Sequence, residues 1–110
     1  MTLTINGIAI ATDKEGYLSN LSDWSTEIAT AIATQEDISL TDAHWEIITL
    51  LRRFYQEYEM APAMRVLVKY TATHLGADKG RSIYLMQLFP PSPAKVAAKI
   101  AGLPRPTNCL

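Results

Sequence analysis

Residues 41–58 read TDAHWEIITLLRRFYQEY, and this stretch decides the fold class of the chain. Its apolar side chains recur every three or four positions, which is the period of one face of an α-helix. Thr41 is a suitable N-cap, so we predict a long helix over 41–58. Its inward face is expected to carry most of the aromatic side chains of the segment together with two aliphatic ones: Trp45, Ile48, Leu51, Phe54, Tyr55 and Tyr58.

Four shorter helices are predicted on either side of this segment. The first, over 22–35, starts at Ser22 as N-cap and has an apolar stripe of Trp24, Ile28, Ala31 and Ile32. The others are separated by proline and glycine, which interrupt helices. They cover residues 63–75, 79–89 and 93–101, the last with Ser92 as cap and Pro93 at the first helical position.

The N-terminus predicts a different element. Asn6-Gly7 lies between two short apolar runs, and this dipeptide favours the two-residue turn of a β-hairpin. We therefore expect a mostly α protein, with an orthogonal bundle of about five helices, an N-terminal hairpin and a flexible C-terminal arm. One domain is expected over 1–110, with the hairpin at 1–12, the bundle at 22–101 and the arm at 102–110.

The composition favours a cytoplasmic protein. The 110 residues include one cysteine, so no internal disulfide can form. No basic start followed by an apolar run marks a signal peptide, and no apolar stretch approaches the length of a membrane span. We therefore expect no contact with a membrane.

Charge is distributed unevenly along the chain. Residues 1–60 have a net charge of −7, and residues 61–110 have a net charge of +6. This separation indicates either a basic face that binds an anionic partner or two halves that neutralise each other in the fold. The sequence leaves both interpretations open.

Common catalytic and metal-binding patterns are not found. His44 and His74 are the two histidines, and neither has a second His or Cys at the spacing of a metal ligand. Glycine-rich phosphate loops and nucleophile–base pairs are also missing. We expect neither a metal site nor a cofactor.

The two predicted helices around residues 59–63, EMAPA, could form a helix-turn-helix. Arg65, Lys69, Lys79 and Arg81 would then contact phosphates. The following helix lacks a run of Asn, Gln or Arg to read base edges, which disfavours sequence-specific DNA binding. A regulatory DNA-binding module remains an alternative hypothesis.

The ending GLPRPTNCL, residues 102–110, contains the one cysteine, Cys109. Prolines favour extended backbone, and a chain terminus is exposed unless it is held down. Lys95, Lys99 and Arg105 provide positive charge that favours a thiolate. A thiol with no partner in its own chain is suited to carrying sulfur as a persulfide, whereas an intramolecular redox cycle needs a second cysteine.

Several segments resemble the DsrC/TusE family, and the resemblance extends over nearly the whole chain. They include DKEGYL (13–18), SLTDAHWEII (39–48), APAMRVLVK (61–69), YLMQLFP (84–90) and KIAGLPRPTNCL (99–110). The resemblance implies a helical bundle with an N-terminal hairpin and a mobile C-terminal arm. It also implies a sulfurtransferase in which Cys109 is the persulfide carrier.

One departure from the family pattern points to the TusE-like branch. DsrC proper has a second arm cysteine at the position of Ala98. The resemblance then implies a TusBCD-like sulfur donor and an MnmA-like thiouridylase that acts on tRNA at the wobble uridine. From charge we add five candidate docking residues: Arg65, Lys69, Lys95, Lys99 and Arg105. A DsrC-like subunit associated with sulfite reductase remains an alternative.

Overall fold

A computed structural model describes residues 1–106 and confirms the mostly helical fold with an N-terminal hairpin. Two strands precede five helices: β1 (Thr2–Ile5), β2 (Ile8–Ala11), α1 (Thr26–Gln35), α2 (Asp42–Tyr58), α3 (Met64–Leu75), α4 (Ser82–Leu88) and α5 (Pro93–Ile100). None of the helices in residues 1–106 is both long enough and apolar enough to span a membrane.

The hairpin turns at the predicted dipeptide. Asn6 and Gly7 both have positive φ, +51° and +79°, as a type I′ turn requires. Antiparallel pairing runs from Ile5 opposite Ile8 to Thr2 opposite Ala11. Leu3 is buried against the helical core, so the hairpin is stabilised by packing on the bundle.

The first helix begins later than predicted. A single 3₁₀ turn covers Leu21–Asp23, and Ser25 is the cap of α1, with its hydroxyl accepting from the Ile28 N–H at 3.2 Å. Trp24 lies before the helix in extended conformation, so its assignment to the stripe of α1 was wrong. The reason is a tertiary contact, since its indole N–H donates to the Ile100 carbonyl of α5 at 2.9 Å.

The long helix α2 matches its predicted bounds. Ile48, Leu51 and Phe54 are buried as expected, and Trp45 and Tyr55 are half-buried against the core. Tyr58 is 50% exposed, so its inward placement was wrong. It belongs to the last turn of the helix, where its ring lies on Phe54 with a centroid distance of 4.6 Å.

The fourth helix starts at Ser82 and not at the predicted Lys79. The carbonyl of Gly76 accepts from the backbone N–H groups of Lys79 and Gly80, which closes a turn before the helix. Gly80 packs so closely on α3 that an added Cβ would lie 2.3 Å from the Cβ of Ala72. This close approach determines where α4 can begin.

The short helix α5 is the centre of the bundle. It contacts each of the other four helices, and Ala97, Ala98 and Ile100 have no exposed surface. Small side chains let the neighbouring helices approach closely. The C-terminal segment therefore starts from the most buried helix of the protein.

Candidate functional site

The segment that leads to Cys109 leaves α5 at Gly102. The Gly102 N–H donates to the Lys99 carbonyl at 3.1 Å, and the Leu103 N–H donates to the Ala98 carbonyl at 2.9 Å. These two bonds, with a φ of +75° at Gly102, form a Schellman motif, which ends a helix and turns the chain away from its axis. The predicted helix end at this glycine is confirmed.

Two side chains from other elements hold this helix end. Arg52 of α2 donates to the Ala101 carbonyl at 2.7 Å, and Trp24 donates to the Ile100 carbonyl. The Arg52 guanidinium also stacks on the Trp24 ring, 3.8 Å from its centroid. Together they satisfy carbonyls that have no partner within the helix.

Sequence reasoning did not single out Arg52. A signal was present, because Arg52 follows Ile48 by four positions and therefore falls on the apolar face of α2. Burial lowers the pKa of Arg52 from its usual value, although the group stays protonated at neutral pH. A half-buried arginine at that position needs an acceptor, and the Ala101 carbonyl at the end of α5 provides it.

Residues 103–106, the base of the arm, lie against the body of the protein. Leu103 is 2% exposed and Pro106 is buried. Arg105 forms ion pairs with Glu15 at 2.7 Å and Asp13 at 3.4 Å, both in the loop after the hairpin. The first part of the predicted arm, up to Pro106, thus lies against the body of the protein. Cys109 lies outside the described residues.

Pro106 is the described residue nearest in sequence to Cys109. Cys109 follows it by three positions, so their Cα atoms cannot be more than roughly 11 Å apart. Pro106 lines a groove of about 290 Å³ together with Lys95, Met64 and Met86. Lys95 is exposed and makes no ion pair within residues 1–106. It is a cation in the same groove as Pro106 whose charge no carboxylate of residues 1–106 neutralises.

The five candidate docking residues differ in whether they form ion pairs with carboxylates of the described chain. Lys99 pairs with Glu36 at 3.1 Å and is 14% exposed, and Arg105 is paired as described above. Arg65 and Lys69 lie one turn apart on α3 and line a different groove from that of Lys95. The structure therefore leaves Arg65, Lys69 and Lys95 without an ion pair in the described part of the chain.

Each histidine contacts other residues of the fold. His44 is 7% exposed; its Nδ1 accepts from the Thr41 N–H at 3.0 Å, and its Nε2 donates to the Leu88 carbonyl at 2.8 Å. The ring therefore connects the start of α2 to the end of α4. His74 lies on the Tyr70 ring, with a centroid distance of 4.3 Å. Within residues 1–106 no three His, Cys, Asp or Glu side chains are grouped to hold a metal ion.

Known proteins resemble this chain over nearly its full length. A family model described as "DsrC like protein" matches residues 4–110. A relative from Haemophilus influenzae, named "Sulfurtransferase TusE homolog", is 58% identical over 98% of this chain and 99% of its own. The "Sulfurtransferase TusE" of Photorhabdus laumondii is 52% identical over 98% of this chain and 97% of its own.

Two solved structures share the fold. The solution structure of DsrC from Allochromatium vinosum has a TM-score of 0.89 and 50% identity, and covers 99% of this chain and 97% of its own. The oxidized γ-subunit of dissimilatory sulfite reductase from Archaeoglobus fulgidus has a TM-score of 0.85 and 36% identity, with both chains fully covered. From the match to the family model and the identity to its members, the chain belongs to the DsrC/TusE family.

Proposed function

We propose that this chain is a sulfurtransferase that carries sulfur as a persulfide on Cys109 for the formation of 2-thiouridine at the wobble position of tRNA. The observation that supports it most is the identity of 58% and 52% to relatives named as TusE sulfurtransferases. Such a relay protein works with partner proteins. The partners we propose are a TusBCD-like sulfur donor and an MnmA-like thiouridylase with tRNA, in the cytoplasm.

The sulfur transfer needs one nucleophile and no oxidant. The Cys109 thiolate attacks the outer sulfur of the donor's persulfide, a new S–S bond forms, and the bond between the donor's two sulfurs breaks. The donor leaves as a thiolate, which takes up the proton that Cys109 lost. The same exchange passes the outer sulfur from Cys109 to an acceptor thiol, so atoms and electrons balance in both steps.

The base of the arm supports this role. The Schellman turn at Gly102 and the ion pairs of Arg105 hold the chain up to Pro106, three positions before Cys109. We propose that Lys95, which lines a groove together with Pro106, favours the thiolate over the thiol, because a positive charge stabilises the anion. We propose Lys95, Arg65 and Lys69 as the main docking cations, since Lys99 and Arg105 already have acidic partners.

Mass spectrometry tests the proposal directly. Incubation with a persulfide donor protein is expected to add the mass of one sulfur atom to the chain, and the adduct is assigned to Cys109 because no other cysteine is present. Cys109→Ser should show no adduct and should support no tRNA thiolation in a reconstituted assay. Full thiolation with the serine variant would falsify the proposal.

A subunit associated with sulfite reductase is the second candidate, and the 36% identity to the Archaeoglobus γ-subunit favours it. Ala98 weighs against a redox role that needs two thiols, because it is wholly buried and leaves Cys109 without a partner in its own chain. Co-purification with a siroheme protein, and not with a sulfur-donor complex, would decide for this candidate.

A further inference from the structure

A groove of about 520 Å³ lies between the C-terminal end of α2 and helix α3, and none of residues 102–106 lines it. Its floor is aromatic: the Phe54 ring lies 4.6 Å from that of Tyr58 and 5.0 Å, edge-on, from that of Tyr70, measured between centroids. Tyr58 and Val66 are 50% and 45% exposed. We call these four residues, with Arg65 and Lys69, the α2–α3 groove.

Two cations flank this apolar floor. Arg65 and Lys69 are four residues apart on α3, so both lie on the same face of the helix. Both are exposed and neither has an ion pair within residues 1–106. An arginine guanidinium in that position can bind a carboxylate through two parallel hydrogen bonds.

The groove also has an unpaired hydroxyl. Tyr70 lines it, and its enclosed hydroxyl has no hydrogen-bond partner among the described residues. Buried hydroxyl groups are usually paired, because leaving one without a partner is unfavourable. Because this oxygen is enclosed, it is not open to a ligand in the groove, and Tyr70 contributes its ring to the floor.

We propose that the α2–α3 groove docks an acidic segment of a partner protein in the sulfur relay, with one aromatic or aliphatic side chain on the floor and carboxylates on Arg65 and Lys69. The proposal rests on the proposed function, which requires such partners. Exposed aromatic rings beside arginine are typical of the residues that contribute most to protein–protein affinity.

The same groove fits a nucleic-acid backbone less well. A polyanion is bound by many cations along a stripe, whereas this groove has two. An apolar floor with one cationic side fits a single anchored peptide segment and not a chain of phosphates.

Binding measured in the Cys109→Ser background separates docking from chemistry. We expect Tyr58→Ala and the double variant Arg65→Glu, Lys69→Glu each to weaken binding to the sulfur-donor complex by at least about tenfold. Arg81→Glu is the matched control, because Arg81 is also exposed and without an ion pair within residues 1–106. It should change affinity by less than about twofold. Circular dichroism checks that each variant is folded.

A photo-crosslinker at Val66 identifies the occupant. The expected product joins this residue to a segment of a partner protein that contains acidic residues around an apolar one. A crosslink to tRNA, a crosslink to a second copy of this chain, or equal weakening by Arg81→Glu would overturn the proposal.

The rate of persulfide transfer, measured at low and at saturating donor concentration, tests the groove proposal separately from the proposed function. With Cys109 intact, the double groove variant should reach the wild-type maximal transfer rate and need a higher donor concentration. If Cys109→Ser still transfers sulfur, the proposed function fails whatever the groove binds. A different result would contradict only the groove proposal: transfer that requires Cys109 but, at low donor concentration, is as fast in the double variant as in wild type.

Discussion

Two features of the structure at position 102 require glycine: the backbone conformation and the lack of space for a side chain. Its φ is +75°, in the left-handed region, and a Cβ there would lie 2.2 Å from Cδ1 of Trp24. Gly7 has a similar φ of +79°, but an added Cβ would meet no atom within 4 Å. A comparison of the two positions therefore separates backbone strain from the contact with the indole ring.

We expect Gly102→Ala to lower the free energy of unfolding by about 3 kcal/mol, of which about 1 kcal/mol is backbone strain and the rest displacement of Trp24. Gly7→Ala should cost about 1 kcal/mol, from the backbone alone. Urea unfolding measures both. Equal losses at the two positions would contradict the assigned role of the Trp24 contact.

At the scale of elements, α2 and the segment before α1 together hold the end of α5. Arg52 donates to the Ala101 carbonyl and stacks on Trp24, which donates to the Ile100 carbonyl. Because the arm begins two residues after Ile100, these contacts also set the direction in which it leaves the bundle. Stability of the core and placement of the arm depend on the same pair of side chains.

Arg52→Met keeps the apolar stem but removes the donors, and we expect it to lower the free energy of unfolding by about 2 kcal/mol. The adjacent Arg53 is exposed and makes no ion pair within residues 1–106, so Arg53→Met is the matched control. Its cost should stay within about 0.5 kcal/mol. Thermal and urea unfolding give the two values; similar costs for both variants would contradict the argument.

At the scale of the whole molecule, the acidic and basic halves meet across the fold. Within residues 1–106 the ion pairs all join a carboxylate from the first 60 residues to a cation from the remainder: Lys79 to Glu46, Lys99 to Glu36, and Arg105 to Asp13 and Glu15. Mutual neutralisation therefore accounts for one part of the charge separation. Arg65, Lys69, Arg81 and Lys95 form the other part, since none of them has an ion pair within residues 1–106.

Asp13 makes the contact between hairpin loop and arm sensitive to acid. Burial raises its pKa, but the N–H groups of Tyr17 and Glu15 and the charge of Arg105 outweigh this effect, and the pKa of Asp13 falls below its usual 3.8. A carboxylate whose pKa is lower when folded stabilises the protein above about pH 4. That contribution is lost as the pH falls through the lowered pKa.

We expect Arg105→Ala to raise the pKa of Asp13 relative to wild type, since one hydrogen bond and one positive charge are removed. The loss of stability on acidification below about pH 4 should become smaller. NMR titration of the Asp13 carboxyl measures the first effect, and urea unfolding at several pH values measures the second. Arg81→Ala should leave the Asp13 titration unchanged, and an unchanged titration in Arg105→Ala would contradict the assignment.

Local signals in the sequence predicted the elements that depend on nearby residues. The turn at Asn6-Gly7, the bounds of α2, the proline at the start of α5 and the end of that helix at Gly102 all follow from side chains within a few positions. The start of α1 and the exposure of Tyr58 did not follow in this way. The indole of Trp24 bonds to a carbonyl 76 positions away and lies outside the predicted helix. Tyr58 lies in the last turn of α2, where its ring packs on Phe54 but stays 50% exposed.

Periodicity, turn residues and motifs are properties of the chain alone, so the helical fold with its hairpin, membership of the DsrC/TusE family and the single thiol at position 109 could be predicted from the sequence. Three features became visible in the folded structure: which cations lack an ion pair within residues 1–106, how the arm is held up to Pro106, and where an aromatic groove opens beside Arg65 and Lys69. Those features depend on contacts between residues far apart in the chain, such as Arg52 with Ala101, 49 positions apart, and packing alone brings them together.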